Sequence, residues 1–595
     1  MKRYTAAFAA LPRLQLRFAT AMRQTLAEGY RAADFRADLM AGLITGVVAL
    51  PLSMALAIAV GVPPQHGLYT AIIGGFLIAL MGGARTSVSG PTAAFVVILA
   101  PIATKFGIGG LALASAMAGL LLILMGAARL GRLIQFIPHP VTTGFTGGIA
   151  VVIATLQVKD FFGLTMTHTP EHFLQRVVAL AQAMPTLQAS DLAIGVVTLA
   201  ILIVWPRITR RVPAPLVALS VAGMGAYLWH WVDPDFTVAT INSKFSYVSQ
   251  GVEHRGIPQT PPMFTLPWFL PGADGQPLAV SFELLQELVG PAIAIAVLGA
   301  IESLLCAVVA DGMTGRKHDP DAELIAQGMG NVAAPFFGGF AATAAIARTA
   351  TSIRAGARSP FASMTHAVFV FLTMMLLAPV LGYLPMASLA ALLLMVAWNM
   401  SEVKHFGHIL RVAPVSDVVV LITCFVLTVL FDMVIAVSVG VVLAALLFMR
   451  RMAEIASVRL TDGEHPQLVA PLPQDILLYE IAGPMFFGAA EKAATALTNT
   501  AGKAKAVILY MGGVPSMDVT ALVALESIIT RLQRGRTMVV LAGVQPQPAE
   551  MLQRAGIKDD PGRIALCRTL EEAELLVRLT ADEVADVPMQ ATAAT

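Results

Sequence analysis

Long apolar stretches separated by short polar connections dominate the first 450 residues. Residues 39–84 contain no Asp, Glu, Lys or Arg, and at roughly 20 residues per crossing this length allows two spans. Applied along the chain, the same pattern predicts a multi-pass α-helical membrane domain with fourteen spans, near 39–60, 67–83, 91–104, 109–128, 139–159, 190–206, 214–231, 285–306, 322–337, 345–357, 361–381, 384–398, 415–431 and 433–449.

Two of these spans, 91–104 and 345–357, are too short to cross a bilayer as full helices. Each contains Thr, follows a Gly-rich stretch and is the third span of a block of seven. Paired short spans in corresponding positions are typical of a transporter site, although small residues can also serve helix packing alone. Successive blocks of seven spans start on opposite sides of the membrane. The blocks, about 38–231 and 284–449, are therefore predicted to form an inverted repeat.

A half-helix that begins inside the membrane leaves its first N–H groups without partners. Two such ends that face one another concentrate partial positive charge. Because the backbone supplies hydrogen-bond donors as well, anions bind there readily. The pattern therefore predicts a site for a small anion between the two short spans.

Strand-like and helix-like segments alternate after residue 451, which predicts a small α/β domain over 452–586. Residues 587–595 are expected to be disordered. Residues 1–37 are expected to hold a cytoplasmic amphipathic helix, from Arg13 to Arg36, on the membrane surface, with a solvated helix as the alternative. The expected elements of the domain are strands near 476–481, 506–510 and 537–541 and helices near 489–498, 519–532 and 570–579.

Composition narrows the function. Only 13% of residues are charged and 57% are hydrophobic, which excludes an ordinary soluble enzyme, and a net charge of +2 gives no basic field for nucleic acid. The three cysteines form neither a disulfide framework nor a metal cluster. We find no motif of an enzyme, metal or cofactor site, so no catalytic residue, metal or cofactor is expected.

Arg and Lys lie in the connections predicted to be on one side, such as Arg129 and Arg132 or Arg450 and Arg451. By the positive-inside rule, both termini should be cytoplasmic. The protein is accordingly expected to lie in a bacterial inner membrane, with the lipid bilayer as its surroundings.

Three polar residues in apolar spans are candidates for function. Arg348 could neutralise a bound anion or pair with a buried acid such as Glu302. Because a carboxyl group is costly to ionise in an apolar span, Glu302 could carry a coupling proton or bind a cation, or form a structural ion pair. Ser53 could present its hydroxyl to substrate or bond its own helix.

Thr520 is a candidate in the C-terminal domain. It follows Asp518, a natural N-cap, so Thr520 should be exposed in the first helical turn. A phosphate there would be favoured by the helix end, and simple capping is the alternative.

Several segments make the chain resemble SulP-type anion transporters, the relatives of the eukaryotic sulfate and anion exchangers, over about 35–585. The tail resembles the STAS domain of that family. The segments that carry the resemblance are 61–69 (GVPPQHGLY), 89–92 (SGPT), 311–315 (DGMTG), 323–328 (ELIAQG) and 345–349 (AIART).

The resemblance implies a fold and a site. A core domain would move against a gate domain in an elevator-like way, and the anion would lie between the third and tenth spans. Many relatives have larger side chains at the positions of Ser53 and Ala57, which implies a roomier pocket here. The implied pocket residues are Ser53, Ala57, Thr92, Ala347, Arg348 and Thr349.

The C4-dicarboxylate branch of the family is most similar, through 95–99 (FVVIL), 298–309 (LGAIESLLCAVV), 393–402 (LLMVAWNMSE) and 430–436 (LFDMVIA). This branch implies uptake of succinate, fumarate or aspartate coupled to protons, or to sodium. Sulfate or bicarbonate is the alternative cargo.

The family further implies a homodimer, a cytoplasmic partner of the STAS domain and a regulatory phosphosite at Thr520. A STAS-based membrane scaffold or sensor is the alternative from another class.

Overall fold

The computed structural model describes most of the chain. The predicted helix at 489–498, the first residues of the helix expected from Arg13 and the tail 587–595 lie outside the described residues. Those residues are 17–132, 138–166, 170, 172–209, 212–249, 252–431, 433–455, 457–461, 465–486 and 504–585.

Helices account for nearly all of the first half. The expected N-terminal surface helix is divided, since one helix ends at Ala27 and the next begins at Ala32. These helices are α1 (Thr20–Ala27), α2 (Ala32–Val60), α3 (Pro64–Tyr69), α4 (Gly75–Met81), α5 (Ala93–Ala127), α6 (His139–Phe161), α7 (Phe173–Ala183), α8 (Ala189–Ile208) and α9 (Ala214–Val232).

The second half repeats this pattern after a connection that contains a short helix and a hairpin. Asp319 and Ser359 cap α12 and α14 by accepting backbone N–H bonds, as N-cap residues do. The helices are α10 (Ile241–Lys244), α11 (Phe282–Thr314), α12 (Pro320–Ala333), α13 (Ile346–Arg354), α14 (Pro360–Leu381), α15 (Met386–Ser401), α16 (Val403–Val412), α17 (Val415–Leu430) and α18 (Met433–Ile455).

Each predicted span corresponds to a helical segment. By length and hydropathy, ten helices of the described chain could cross a membrane. The remaining predicted spans correspond to shorter helices or share one long helix with a neighbouring span. α5 covers the third and fourth predicted spans and breaks at Gly107, where φ is 67°. That backbone conformation favours glycine, so Ala93 to Phe106 is a half-helix as predicted.

The membrane helices pack in two groups. In one, α2 packs on α14, α5 packs on α11 and α12, and α13 packs on α2 and α11. In the other, α6 packs on α15 and α17, and α8 packs on α9 and α15. The first group contains both half-helices, so all elements expected to form the anion site belong to it.

Two short strands connect the repeats. β1 (Ser89–Gly90) precedes the first half-helix, and β4 (Thr343–Ala344) precedes the second. They pair antiparallel, with Ser89 opposite Ala344 and Gly90 opposite Thr343. Equivalent segments of the two repeats therefore run in opposite directions, as an inverted repeat requires. In the sequence, the hairpin of β2 (Ser246–Ser249) and β3 (Val252–Arg255) lies between these two strands.

The chain divides into two compact units between Val441 and Val442, and the second unit contains a five-stranded sheet. The sheet order is β5-β6-β7-β8-β9, with the β5–β6 pair antiparallel and the other pairs parallel. The sequence did not predict β5, β9 or α20. The elements are β5 (Ser457–Thr461), β6 (Ile476–Ala482), β7 (Ala506–Gly513), α19 (Val519–Arg534), β8 (Met538–Ala542), α20 (Pro546–Arg554), β9 (Ile564–Cys567) and α21 (Leu570–Ala585).

Glu574 of α21 attaches an irregular segment to this sheet domain. Its carboxylate accepts the Val469 N–H at 2.8 Å, the Ala470 N–H at 3.2 Å and the Arg578 Nε–H at 3.0 Å. Burial disfavours the charged form, but these hydrogen bonds outweigh that effect and hold the pKa of Glu574 below its usual value.

We expect Glu574→Gln to weaken this attachment by roughly 1–2 kcal/mol at pH 7, since bonds to an ionised acceptor are lost. A lowered pKa in the folded state gives stability that is present above the unfolded pKa of about 4.3 and is lost as the pH falls through the folded value. Protection of the Val469 and Ala470 amides in hydrogen exchange should therefore differ between wild type and variant at pH 7 and converge near pH 4. Glu571→Gln, at an exposed position of the same helix, is the control. Equal protection in wild type and Glu574→Gln at pH 7 would contradict the expectation.

Candidate functional site

The two half-helices begin beside the β1–β4 pair. α5 starts at Ala93, three residues after β1, and α13 starts at Ile346, two residues after β4. Neither N-cap side chain, of Thr92 or of Ala345, bonds a first-turn N–H. Both helix ends therefore keep backbone donors available for an anion.

Thr92 connects the first half-helix to the predicted coupling residue. Its hydroxyl donates to Glu302 Oε2 at 3.1 Å. Thr92 is buried and Glu302, in the middle of α11, is partly buried. A pocket residue and the candidate proton carrier are thus directly bonded, a contact that the sequence did not predict.

Arg348 is enclosed at the start of the second half-helix. Its side chain is 1% exposed, and Nη2 donates to the Pro91 carbonyl beside β1. Nε and Nη1 have no hydrogen-bond partner among the described residues. Among the described residues no carboxylate lies within 4.0 Å of the Arg348 guanidinium, so a direct ion pair with Glu302 is not formed, although the Glu302 carboxyl group is close enough to act on Arg348 electrostatically.

A buried guanidinium without a counter-charge is costly. The backbone leaves room for it only because residue 90 is glycine: a Cβ there would lie 2.6 Å from Arg348 Nη1. An anion between the half-helix ends would supply the missing acceptor and the missing charge.

Thr349, one residue further along α13, fixes the second half-helix to the first repeat. Its side chain is fully buried, and its hydroxyl oxygen accepts the Val88 N–H at 2.9 Å. Cys306 of α11 donates its Sγ–H to the same oxygen at 3.1 Å. The residue therefore has a structural role beside its predicted place in the pocket.

The remaining predicted pocket residues differ in burial. Ser53 and Ala57 are fully buried in α2, and the Ser53 hydroxyl has no hydrogen-bond partner in the described structure. The alternative in which Ser53 bonds its own helix is thus not observed. Ala347, in contrast, is exposed. Its side chain is not part of the buried group, and its backbone N–H belongs to the first turn of α13.

Polar residues of α12 support both strands, and the sequence analysis gave them no role. Gln327 donates Nε2–H bonds to Ser89 of β1 and to Glu323, each at 3.0 Å. Asn331 donates to the Ala342 carbonyl at 2.9 Å and accepts the Ala342 N–H at 2.6 Å, just before β4. The signal was available: Glu323, Gln327 and Asn331 recur every four residues, which places them on one helix face.

In the C-terminal unit the predicted cap is confirmed. Asp518 Oδ1 accepts the Ala521 N–H at 2.8 Å at the start of α19. Thr520 is exposed in the first turn, so its hydroxyl is accessible from solvent in the described structure of this unit.

Comparisons with known proteins agree with this architecture. The sulfate permease family model matches residues 35–424, and the STAS domain model matches residues 467–573. The protein YvdB of Bacillus subtilis (strain 168), whose name provisionally assigns it to sulfate transport, is 39% identical over 531 residues, 89% of this chain and 95% of that protein. The bicarbonate transporter BicA of Picosynechococcus sp. is 29% identical over 547 residues, 88% of this chain and 91% of that protein.

Solved structures share the fold. The murine anion transporter Slc26a9, solved in the inward-facing state, has a TM-score of 0.79 at 18% identity, covering 97% of this chain and 95% of that one. The predicted fold class, a seven-plus-seven helical membrane domain followed by a STAS domain, is confirmed.

We expect Thr349→Val to destabilise the membrane domain by about 1–3 kcal/mol, because it leaves the buried Val88 N–H without an acceptor. Thr349→Ser keeps the hydroxyl and should lose less. Melting temperatures of the purified variants in detergent measure the difference. Equal melting temperatures for the two variants would show that the bond to Val88 does not matter.

Proposed function

The chain belongs to the sulfate permease family and is an anion transporter rather than an enzyme, and from this premise we propose that it takes up C4-dicarboxylates together with protons. The observation that carries the proposal is Arg348, a buried cation with two nitrogens that have no hydrogen-bond partner in the described structure, placed at two uncapped half-helix ends. Such a site favours an anion and offers it donors from two directions.

Succinate, fumarate or aspartate fits this arrangement through its two carboxylates. One carboxylate can accept the first-turn N–H groups of α5, and the other those of α13 together with Arg348. Ser53 and Ala57 would contribute only small side chains to this pocket. Sulfate or bicarbonate is the alternative, and the names of the relatives favour it.

Alternating access follows from the two helix groups. We propose that the group with both half-helices moves as the core against the other group, which acts as the gate. The proposal has both termini in the cytoplasm of a bacterium and the membrane domain in its inner membrane, which the basic connections support. A homodimer, a cytoplasmic partner of the STAS domain and phosphorylation of Thr520 belong to the same proposal.

Uptake by proteoliposomes tests the substrate class. With labelled succinate as the probe, unlabelled fumarate and aspartate should compete more strongly than sulfate or bicarbonate at equal concentration. Arg348→Gln should lower uptake about tenfold or more, as expected when a charge-assisted contact is lost. Stronger competition by sulfate or bicarbonate would favour the alternative cargo. Binding of a partner to the STAS domain without any accumulation of anion would favour a scaffold.

Glu302 is proposed to carry the coupling proton. Its carboxyl group accepts a hydrogen bond from Thr92 at the start of the first half-helix. A change in its protonation therefore changes a contact of the proposed anion site. On the outer side the carboxylate binds a proton from water, and on the inner side the carboxylic acid releases it.

We expect succinate uptake by wild type to rise severalfold when the outside is made more acidic, and Glu302→Gln to show a weaker dependence because an amide does not titrate. Glu283→Gln, at an exposed position in the first turn of the same helix, should retain it. Uptake at an imposed pH gradient is the measurement. Unchanged gradient dependence in Glu302→Gln would remove Glu302 from the mechanism.

A further inference from the structure

His366 is a buried titratable side chain to which the mechanism above gives no role. It lies in α14 and is 0% exposed, and neither Nδ1 nor Nε2 has a hydrogen-bond partner among the described residues. Buried polar groups are almost always hydrogen-bonded, and histidine is the side chain that changes charge most readily near neutral pH. The imidazole of His366 therefore lacks the partner that a buried polar group normally has.

The position of His366 relates it to the anion site. Ser363, one helical turn earlier, donates to the Ser87 carbonyl at 2.7 Å. Arg348 donates to the Pro91 carbonyl. α13 and α14 thus both hold the short segment that contains β1, so Arg348 and His366 belong to the same part of the fold, and their charges are expected to interact through this low-dielectric interior.

The elements that pack against α14 bring few other ionisable groups. The π-helical turn Thr70–Gly74 and α4 contain no charged residue. The charged residues of α2 all lie in its first two turns. Two of them, Asp34 and Asp38, bond Arg358, which precedes α14 and lies more than two turns before His366.

Two further titratable side chains, His66 and Tyr69, lie on α3, and His66 Nδ1 bonds a backbone carbonyl at 2.6 Å. Arg354, the other charged residue of α13, is exposed. Of the charged groups on these elements in the described structure, Arg348 is therefore the buried one that shares this part of the fold with His366.

This pairing couples two ligands. A proton on His366 is repelled by an unneutralised guanidinium, and an anion bound to Arg348 removes that repulsion. Linkage is reciprocal, so the bound proton strengthens anion binding by the same factor.

We propose that His366 is a second proton-binding site, which takes up a proton when a substrate anion neutralises Arg348 and releases it when the anion leaves. The inference rests on the proposed function and deepens it. Glu302 and His366 each bind one proton from the outer water and release it to the inner water. A dicarboxylate dianion then crosses with two protons and no net charge.

The number of protons per succinate tests the proposal in the full chain. Proteoliposomes hold a fixed pH gradient, and potassium with valinomycin sets the membrane potential. Wild-type accumulation of labelled succinate should not depend on the potential. His366→Gln carries one proton fewer, so its accumulation should be severalfold lower at an inside-negative potential than at zero potential. His408→Gln, at an exposed histidine, should behave as wild type.

Accumulation by His366→Gln that stays independent of the potential overturns the inference, provided that its melting temperature shows a folded protein. His366→Asn is the second amide variant. If neither variant folds, calorimetry on wild type decides: succinate binding in buffers of different ionisation enthalpy should take up about two protons, and an uptake of one or none overturns the inference. The proposed function fails separately. If sulfate is accumulated and succinate is not, the proposed substrate class is wrong. The number of protons per transported anion is then measured with sulfate as the substrate.

Discussion

The enclosed guanidinium of Arg348 is the constraint on which the membrane domain depends. It is 1% exposed and has two nitrogens without partners in the described structure, a condition that a stable fold tolerates only where something compensates the charge. Several neighbouring features accommodate this side chain. Glycine at residue 90 gives the guanidinium space, and the Pro91 carbonyl accepts a hydrogen bond from it. The two uncapped half-helix ends lie beside the same strand pair.

Much of the fold could be predicted from the sequence because apolar length and glycine position are local signals. The third and tenth spans are too short to cross, and the first of them ends at Gly107 because that backbone conformation suits glycine. The signals fail where the structure depends on contacts distant in sequence. The bond from Thr92 to Glu302 joins residues 210 positions apart, and no periodicity indicates it.

The candidate site was predicted in outline and corrected in detail. Ser53, Thr92, Arg348 and Thr349 are buried in one helix group, whereas Ala347 is exposed. Family resemblance transfers positions along the chain and not the direction of a side chain, which explains that difference. The polar face of α12 had a readable four-residue spacing, but its function as a support for both strands depends on tertiary packing. His366 gave no local signal because one histidine in an apolar helix has no pattern.

The β1–β4 pair has an electrical consequence. Because the strands are bonded to each other, and to α12 through Gln327 and Asn331, both half-helix ends and Arg348 must travel as one piece when the core moves. An empty core then carries the positive charge of Arg348 together with the carboxylate that Glu302 becomes when it releases its proton, so the membrane field finds no net charge on which to do work. An inside-negative cell neither draws this empty core towards the cytoplasm nor opposes its return. Removal of the Glu302 carboxylate would leave the empty core positive, and the voltage would then set the resting orientation of the carrier.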